Sequence, residues 1–498
     1  MAKIIISYVF VANFINIFHG EYIANWSSID SRPLPKWYDE AKIGIFIHWG
    51  VFSVPGMHSE WFWWNWLGDK SPNDVKDYMK NNYPPHFKYP EFAVDFKAQF
   101  FDPYKWADLF NKSGAKYVVL TSKHHEGYTM WPSKFSWNWN SLDIGPKKDI
   151  VALFAKAIKE TTGLKFGLYY SLFEWFHPLY LKDRSTNFST QEYVEQISYP
   201  QIMEIVNQYH PEVLWLDGDN GPPEYWKSLD ILAWLYNKSP VKSTLVTNDR
   251  WGYGCPCHHG GYFTCEDRYI PGKLMPRKWE NCMTLDRHSW GHRRNMDLES
   301  VLSMNELLEI LAETISYGGN LLINVGPTSE GIIVPIFEER LLQLGKWLDV
   351  NGEAIYATQP WKSQKEPFQK IWYTLKDMNF GESSLNHYSI YAIFMDWPRP
   401  EDGYLLKLTM MDVPFNNAGT TMRLELKLLG YSDAGPKKNI PWRRKTKDNE
   451  SIFIANLSNV PLVKLPCKHA WVLKFLLYPS PDNDEQLDEN DPILTNSI

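Results

Sequence analysis

Asp217 ends the apolar run Glu212-Val-Leu-Trp-Leu-Asp217 and is followed by Gly218 and Asp219. A buried strand that stops abruptly in a carboxylate fixes the backbone while the side chain emerges at the strand's C-terminal end. A carboxylate held there can act as a nucleophile or a base; the plainer alternative is an Asp that merely starts the next loop. Other apolar runs end in the same manner. Ile43–Trp49 ends in His48, Tyr117–His125 in His124 and His125, and Leu164–Ser171 in Tyr169 and Tyr170. The stretch 249–290 adds Asp249, Asp267, Arg268 and Glu280, and Trp215 lies two residues before Asp217. One histidine is more often a satisfied structural residue, but three at strand ends, two of them adjacent, point to a site. Carboxylates in a pocket of imidazoles and indoles suit glycoside hydrolysis. One attacks the anomeric carbon or activates water, and the other protonates the leaving oxygen. The first must stay ionised beside cationic donors; the second must keep its proton, which burial against an indole promotes. Glu266 and Asp219 read as loop carboxylates.

The elements that must position these groups are strands buried on both faces, as their near-continuous apolar runs require. Besides those named, Val213–Asp217, Thr244–Asp249 and Asn320–Gly326 fit the pattern. Helical periodicity lies between them, over 149–159, 306–315 and 335–350. Strand and helix alternating in this way predict an α/β fold, a (β/α) TIM-like barrel over residues 21–360. After Gln359-Pro360 the texture changes. Runs at 388–397, 403–410, 422–429, 451–456 and 470–477 read as strands with no long helix between them, which predicts a C-terminal all-β sandwich over 361–478. Residues 479–498 form an acidic tail expected to be disordered.

Residues 4–18 are almost wholly apolar behind Lys3, and a small residue follows at Gly20, as in a signal peptide spanning 1–20. The run is shorter than the roughly 20 residues of a spanning helix, so no membrane anchor is expected after cleavage. Six Asn-x-Ser sequons, at Asn25, Asn111, Asn187, Asn237, Asn449 and Asn456, agree with passage through the secretory pathway. The net charge of −7 argues against a nucleic-acid partner. The 24 Trp, 28 Tyr and 26 Phe fill cores for the most part, but they also supply flat faces for sugars. Cys255, Cys257, Cys265 and Cys282 cluster near His258 and His259, while Cys467 stands alone. The spacing does not match usual zinc sites, so one or two disulfides steadying a loop are expected rather than a metal.

These segments carry a resemblance. Pro271-x-x-Leu274-x-x-x-Lys278-Trp279-Glu280-x-Cys282 resembles the signature of the α-L-fucosidases, retaining enzymes of the lysosomal, tissue type found in animals. Further motifs of the same kind follow in order at 46–50, 59–61, 123–128, 213–218, 247–251, 257–261, 320–327 and 351–356. The resemblance implies a retaining exo-α-L-fucosidase acting on terminal fucose of glycoprotein and glycolipid glycans, with no metal or organic cofactor. It places Asp217 as nucleophile and either Asp267 or Glu280 as acid/base, with Glu60 a third position. It gives His48, Trp61, His124, His125, Trp215 and Arg268 to substrate binding, together with a strand-end tyrosine, Tyr170 in preference to Tyr169. Cys282 belongs to the signature and is expected in a disulfide. A homo-oligomer, in the lysosome or outside the cell, completes the expectation.

Overall fold

Seven of the chain's apolar runs line up as one parallel sheet. In the computed structural model, which describes residues 20–69, 71–377, 388–411, 416–417, 420–431, 439–447 and 450–479, its strands are β1 (Ile43–Ile47), β2 (Tyr117–Lys123), β3 (Lys165–Ser171), β4 (Val213–Asp217), β5 (Val246–Thr247), β6 (Trp279–Thr284) and β7 (Gly319–Val325). The predicted signal segment apart from Gly20, the sequon Asn449 and the acidic tail beyond Pro479 lie outside the described residues. The order is β5-β4-β3-β2-β1-β7-β6, and every pairing is parallel. Helices follow the strands, among them Ile150–Thr161, Tyr199–Tyr209, Ser228–Asn237 and Met304–Ser316. Local signals set their starts: Asp149 caps the first by accepting from the Ala152 N–H, and Ser303 and Glu306 form a capping box on the last.

The strand ladders do not close into a ring. β5 is only two residues long, where the sequence suggested a strand over 244–249, and it pairs only with β4. Between β5 and β6 runs the stretch 261–263. The Tyr262 N–H donates to Thr247 O at 3.0 Å, and the Phe263 N–H to Lys278 O at 2.8 Å. The expected barrel is therefore an open, seven-stranded arrangement whose ends are linked by isolated hydrogen bonds.

Alternation along the strands sorts side chains into two layers. Ile43, Ile45, Ile47, Leu168, Tyr170, Leu214 and Leu216 face the helices. Phe46, Tyr117, Tyr169, Trp215 and Leu322 share a separate interior cluster with Tyr38 and Trp290. Gly44 keeps that interior open: a Cβ there would lie 2.4 Å from the Tyr117 ring.

Among its described residues the C-terminal part contains nine strands. β8 (Gln359–Lys365), β9 (Ile371–Asp377), β10 (Tyr388–Phe394), β12 (Asn416–Asn417), β13 (Thr420–Leu428) and β16 (Trp471–Pro479) build a six-stranded sheet; β11 (Leu405–Leu408), β14 (Trp442–Lys447) and β15 (Glu450–Asn456) build a three-stranded one. Both are antiparallel and share one apolar core, with Phe453 against Phe475 at 5.1 Å. The outer face of the larger sheet joins the first core through Trp372, Tyr391, Ile393 and Val472. The Trp347 indole N–H donates to Ala470 O at 3.0 Å across the same contact.

Candidate active site

The β4 backbone delivers Asp217 to the rim of a cleft of about 180 Å³, lined also by His48, Glu60, Trp61, His124, His125, Tyr169, Trp215, Asp219, Arg250, Asp267 and Trp290. The volume is below the roughly 300 Å³ at which pockets for drug-sized ligands begin, and suits one small ring. The Asp217 carboxylate is saturated with donors. The Tyr169 hydroxyl donates to Oδ2 at 2.9 Å and Arg250 Nη1 to Oδ1 at 2.9 Å. His125 Nε2 lies 3.5 Å from Oδ2. Burial alone would raise its pKa. Arg250 and the Gly218 N–H outweigh burial and hold it well below the usual carboxylate range. Gly218 adopts φ +67°, so the chain turns sharply there.

Hydrogen-bond bookkeeping assigns the histidine tautomers. Asn324 Nδ2 donates to Trp290 O at 2.7 Å, so its Oδ1 must accept from His48 Nδ1, also at 2.7 Å. The Ser171 hydroxyl donates to Phe173 O at 2.6 Å, so it accepts from His125 Nδ1 at 2.7 Å. Burial and the neighbouring His124 push the pKa of His48 down to about 3, and the same two causes hold His125 well below its ordinary value. Both rings are thus neutral, and each keeps an Nε2 lone pair as acceptor for a ligand hydroxyl. At His125 that lone pair faces Asp217 Oδ2, so a hydroxyl proton between the two acceptors would relieve their repulsion. His124 stacks on Tyr169 at 5.8 Å, with Nδ1 3.3 Å from Glu126 Oε2. Trp61, 40% exposed, stands edge-on to His125 at 5.5 Å.

Three residues singled out from the sequence lie elsewhere. Tyr170 faces away, donating to Gln201 Oε1 at 2.7 Å, because a strand's period of two turns adjacent residues to opposite faces. Tyr169 is the one paired in register with Trp215 and is the strand-end tyrosine of the pocket. Arg268 bonds Thr284 Oγ1 at 3.0 Å and covers Trp290 at 5.1 Å, outside the cleft. Its expected place is taken by Arg250, which also reaches Asp267 Oδ1 at 2.5 Å and lies 4.7 Å over the Trp215 ring. Glu280 is fully buried under the pocket floor. It accepts from Tyr38, Tyr117 and the Trp215 indole at 2.7, 2.5 and 2.9 Å, and burial raises its pKa against those donors. It is the second residue of β6, so it sits at the wrong end of the strand to reach a ligand.

Two other carboxylates do line the cleft. Glu60 Oε2 accepts from the Ser289 hydroxyl and from the Trp290 and Gly291 N–H groups. Asp219, read from the sequence as a loop residue, has its pKa pushed up to about 6 by burial and by Asp217. Arg250, Tyr169, Trp290 and Asp219 are the residues that sequence reasoning missed or set aside.

Cys257 and Cys265 form a disulfide, while Cys255, Cys282 and Cys467 are free. The expectation of a disulfide for Cys282 is thereby overturned: its thiol is buried on β6 inside the sheet, and burial pushes its pKa well above the usual thiol range. Among the described residues no group of three His, Cys, Asp or Glu is arranged to hold a metal ion. Asn25, Asn111 and Asn187 are exposed and Asn456 is half-buried. Asn237 differs, because its amide pairs with both backbone groups of Tyr22, at 2.8 and 2.9 Å.

A family profile described as Alpha-L-fucosidase matches residues 9–353, and one described as Alpha-L-fucosidase C-terminal domain matches residues 364–476. The chain is 53% identical over 459 residues to an alpha-L-fucosidase of Branchiostoma floridae, covering 92% of this chain and 96% of that protein. It is 51% identical over 450 residues to the plasma alpha-L-fucosidase of Homo sapiens, covering 90% and 91%. With the human tissue alpha-L-fucosidase the identity is 48% over 455 residues, covering 91% of each. Among solved structures, the Thermotoga maritima alpha-fucosidase in complex with fucose superposes with a TM-score of 0.70 at 33% identity, covering 91% of this chain and all of that one. The chain therefore belongs to the α-L-fucosidase family of glycoside hydrolases.

Proposed function

We propose that the protein is a retaining exo-α-L-fucosidase that removes terminal fucose from glycoprotein and glycolipid glycans. The observation that carries this reading is the ionised Asp217, braced by Arg250 and Tyr169 in the lining of a cleft sized for one ring. In the first step Asp217 attacks the anomeric carbon and forms a covalent fucosyl ester while an acid protonates the departing oxygen. In the second, the same acid, now a carboxylate, takes a proton from the water that opens the ester. Asp267 serves as this acid/base, because its half-exposed carboxyl stands at the mouth, where a leaving group would depart. Asp219 offers a second reading, favoured by a pKa raised to about 6 in the same cleft. His48 and His125 accept ring hydroxyls, and the indoles of Trp61, Trp215 and Trp290 present apolar faces to a deoxy sugar's methyl and C–H groups.

The plasma and tissue relatives, with the apolar N-terminus and the sequons, support a secretory route ending in the lysosome or outside the cell. A homo-oligomeric state belongs to the same proposal. The test is Asp217→Ala. Turnover of an aryl α-L-fucoside should fall by about 10³-fold or more, and azide should restore it by supplying the missing nucleophile. Near-normal turnover without azide would exclude Asp217 from that role.

A further inference from the structure

The two loops that wall the Asp217 cleft continue past it and enclose a second cavity of about 500 Å³. The first loop supplies Glu60 and Trp61 to the cleft and His58 to the cavity; the second supplies Trp290 to the cleft and His288 and Asn295 to the cavity. They are tied where the two spaces meet, because Glu60 of the first accepts the Ser289 hydroxyl and the Trp290 and Gly291 N–H groups of the second, at 2.9–3.1 Å. Trp61 lines both spaces and is half-exposed between them. The cavity thus adjoins the cleft across Trp61.

Its lining sets polar side chains beside the apolar surfaces of Met57 and Trp61, and Asp74 contributes one exposed carboxylate. Asn65 and Asp74 join His58 on one bank, opposite His288 and Asn295. Asn65 Nδ2 lies 3.1 Å from His58 Nδ1. Arg293 also borders it, but its guanidinium forks onto Asp286 at 2.7 and 2.8 Å, so its charge is already matched inside the protein. Amides, imidazoles and one carboxylate beside Met57 and Trp61 suit a ligand bearing hydroxyl and acetamido groups on rings with apolar faces, not an anion or a lipid.

We infer that this groove binds the neutral oligosaccharide to which the fucose is attached, with Trp61 as the shared wall and Asn65 and Asn295 reading its polar groups. The inference rests on the fucosidase reading above and adds to it the residues that select the leaving group. Binding energy collected there, away from the bond that breaks, raises kcat/KM for a glycan and is out of reach of a small aryl fucoside.

The experiment compares wild type with Asn65→Ala/Asn295→Ala on an aryl α-L-fucoside and on a neutral fucosylated trisaccharide. Losing two hydrogen-bonding amides should lower kcat/KM on the trisaccharide by about tenfold and leave the aryl fucoside within about twofold. The aryl fucoside also reports that the variant is folded. Equal losses on both substrates, or no loss on the trisaccharide, would overturn the proposal. A wild-type protein inactive on the aryl fucoside would defeat the fucosidase reading itself, and the groove assignment with it.

Discussion

A single guanidinium organises the chemistry. Arg250 bridges Asp217 and Asp267 and covers the Trp215 ring, so it sets the charge of one carboxylate and the position of both. It is a main cause of the low pKa of Asp217. Removing it raises that pKa, so protonation, and loss of the nucleophile, begins at higher pH. Arg250→Met should therefore shift the acidic limb of the kcat/KM profile upward and lower its plateau by about 10²-fold through misplacement; an unmoved limb would count against the ion pair. Below it, Glu280 holds the Trp215 indole from beneath the floor. Glu280→Gln keeps an acceptor for that indole but turns the oxygen that accepts from Tyr38 and Tyr117 into a donor, so it should cost activity without gaining any azide rescue on an activated substrate. Asp267→Ala should be rescued, since azide needs no base in the second step. Rescue of the Glu280 variant alone would reverse these roles.

At the scale of elements, what was legible in the sequence followed the length of each strand. β1, β2, β3 and β4 are apolar runs of five to seven residues, so His48, His124, His125 and Asp217 at or just past their ends could be placed without a structure. β5 keeps only two residues of the strand expected over 244–249, and Arg250, one residue past the end of that run, carried no signal of its own, so Arg268 was preferred. The choice between Tyr169 and Tyr170 depends on register with β4, a contact 46 residues away (Tyr169 to Trp215), which no local pattern encodes. Glu280 was misjudged because the run 279–284 does not reveal which end of the strand meets the cleft. The loop after β5 compensates for the short strand. Asp249 accepts the N–H groups of Cys257, Thr264 and Cys265, and the disulfide closes the same loop two residues before Asp267. Cys257→Ser/Cys265→Ser should cost about 2–3 kcal/mol, read as a lowered thermal midpoint. It should also lower kcat/KM, because Arg250 and Asp267 flank the loop. Unchanged stability would show that Asp249 alone suffices.

For the whole molecule, a parallel sheet carries the chemistry at its strand ends, and a two-sheet domain packs behind it through Trp347, Trp372 and Tyr391. The change of texture at Gln359-Pro360 announced that second domain, although β8 and β14 lacked a clear pattern, since Trp361 is the one buried residue of β8 and none of the described residues of β14 is buried. Among the described residues no helix is long and apolar enough to cross a membrane. The sheet presents Asp217, its neighbours keep it ionised, and the proposal adds that its attack on the anomeric carbon retains configuration. Following hydrolysis of an aryl α-L-fucoside by proton NMR tests this directly. The account predicts that α-L-fucose forms first and then mutarotates. Initial release of β-L-fucose would contradict it, because inversion leaves no covalent step for Asp217.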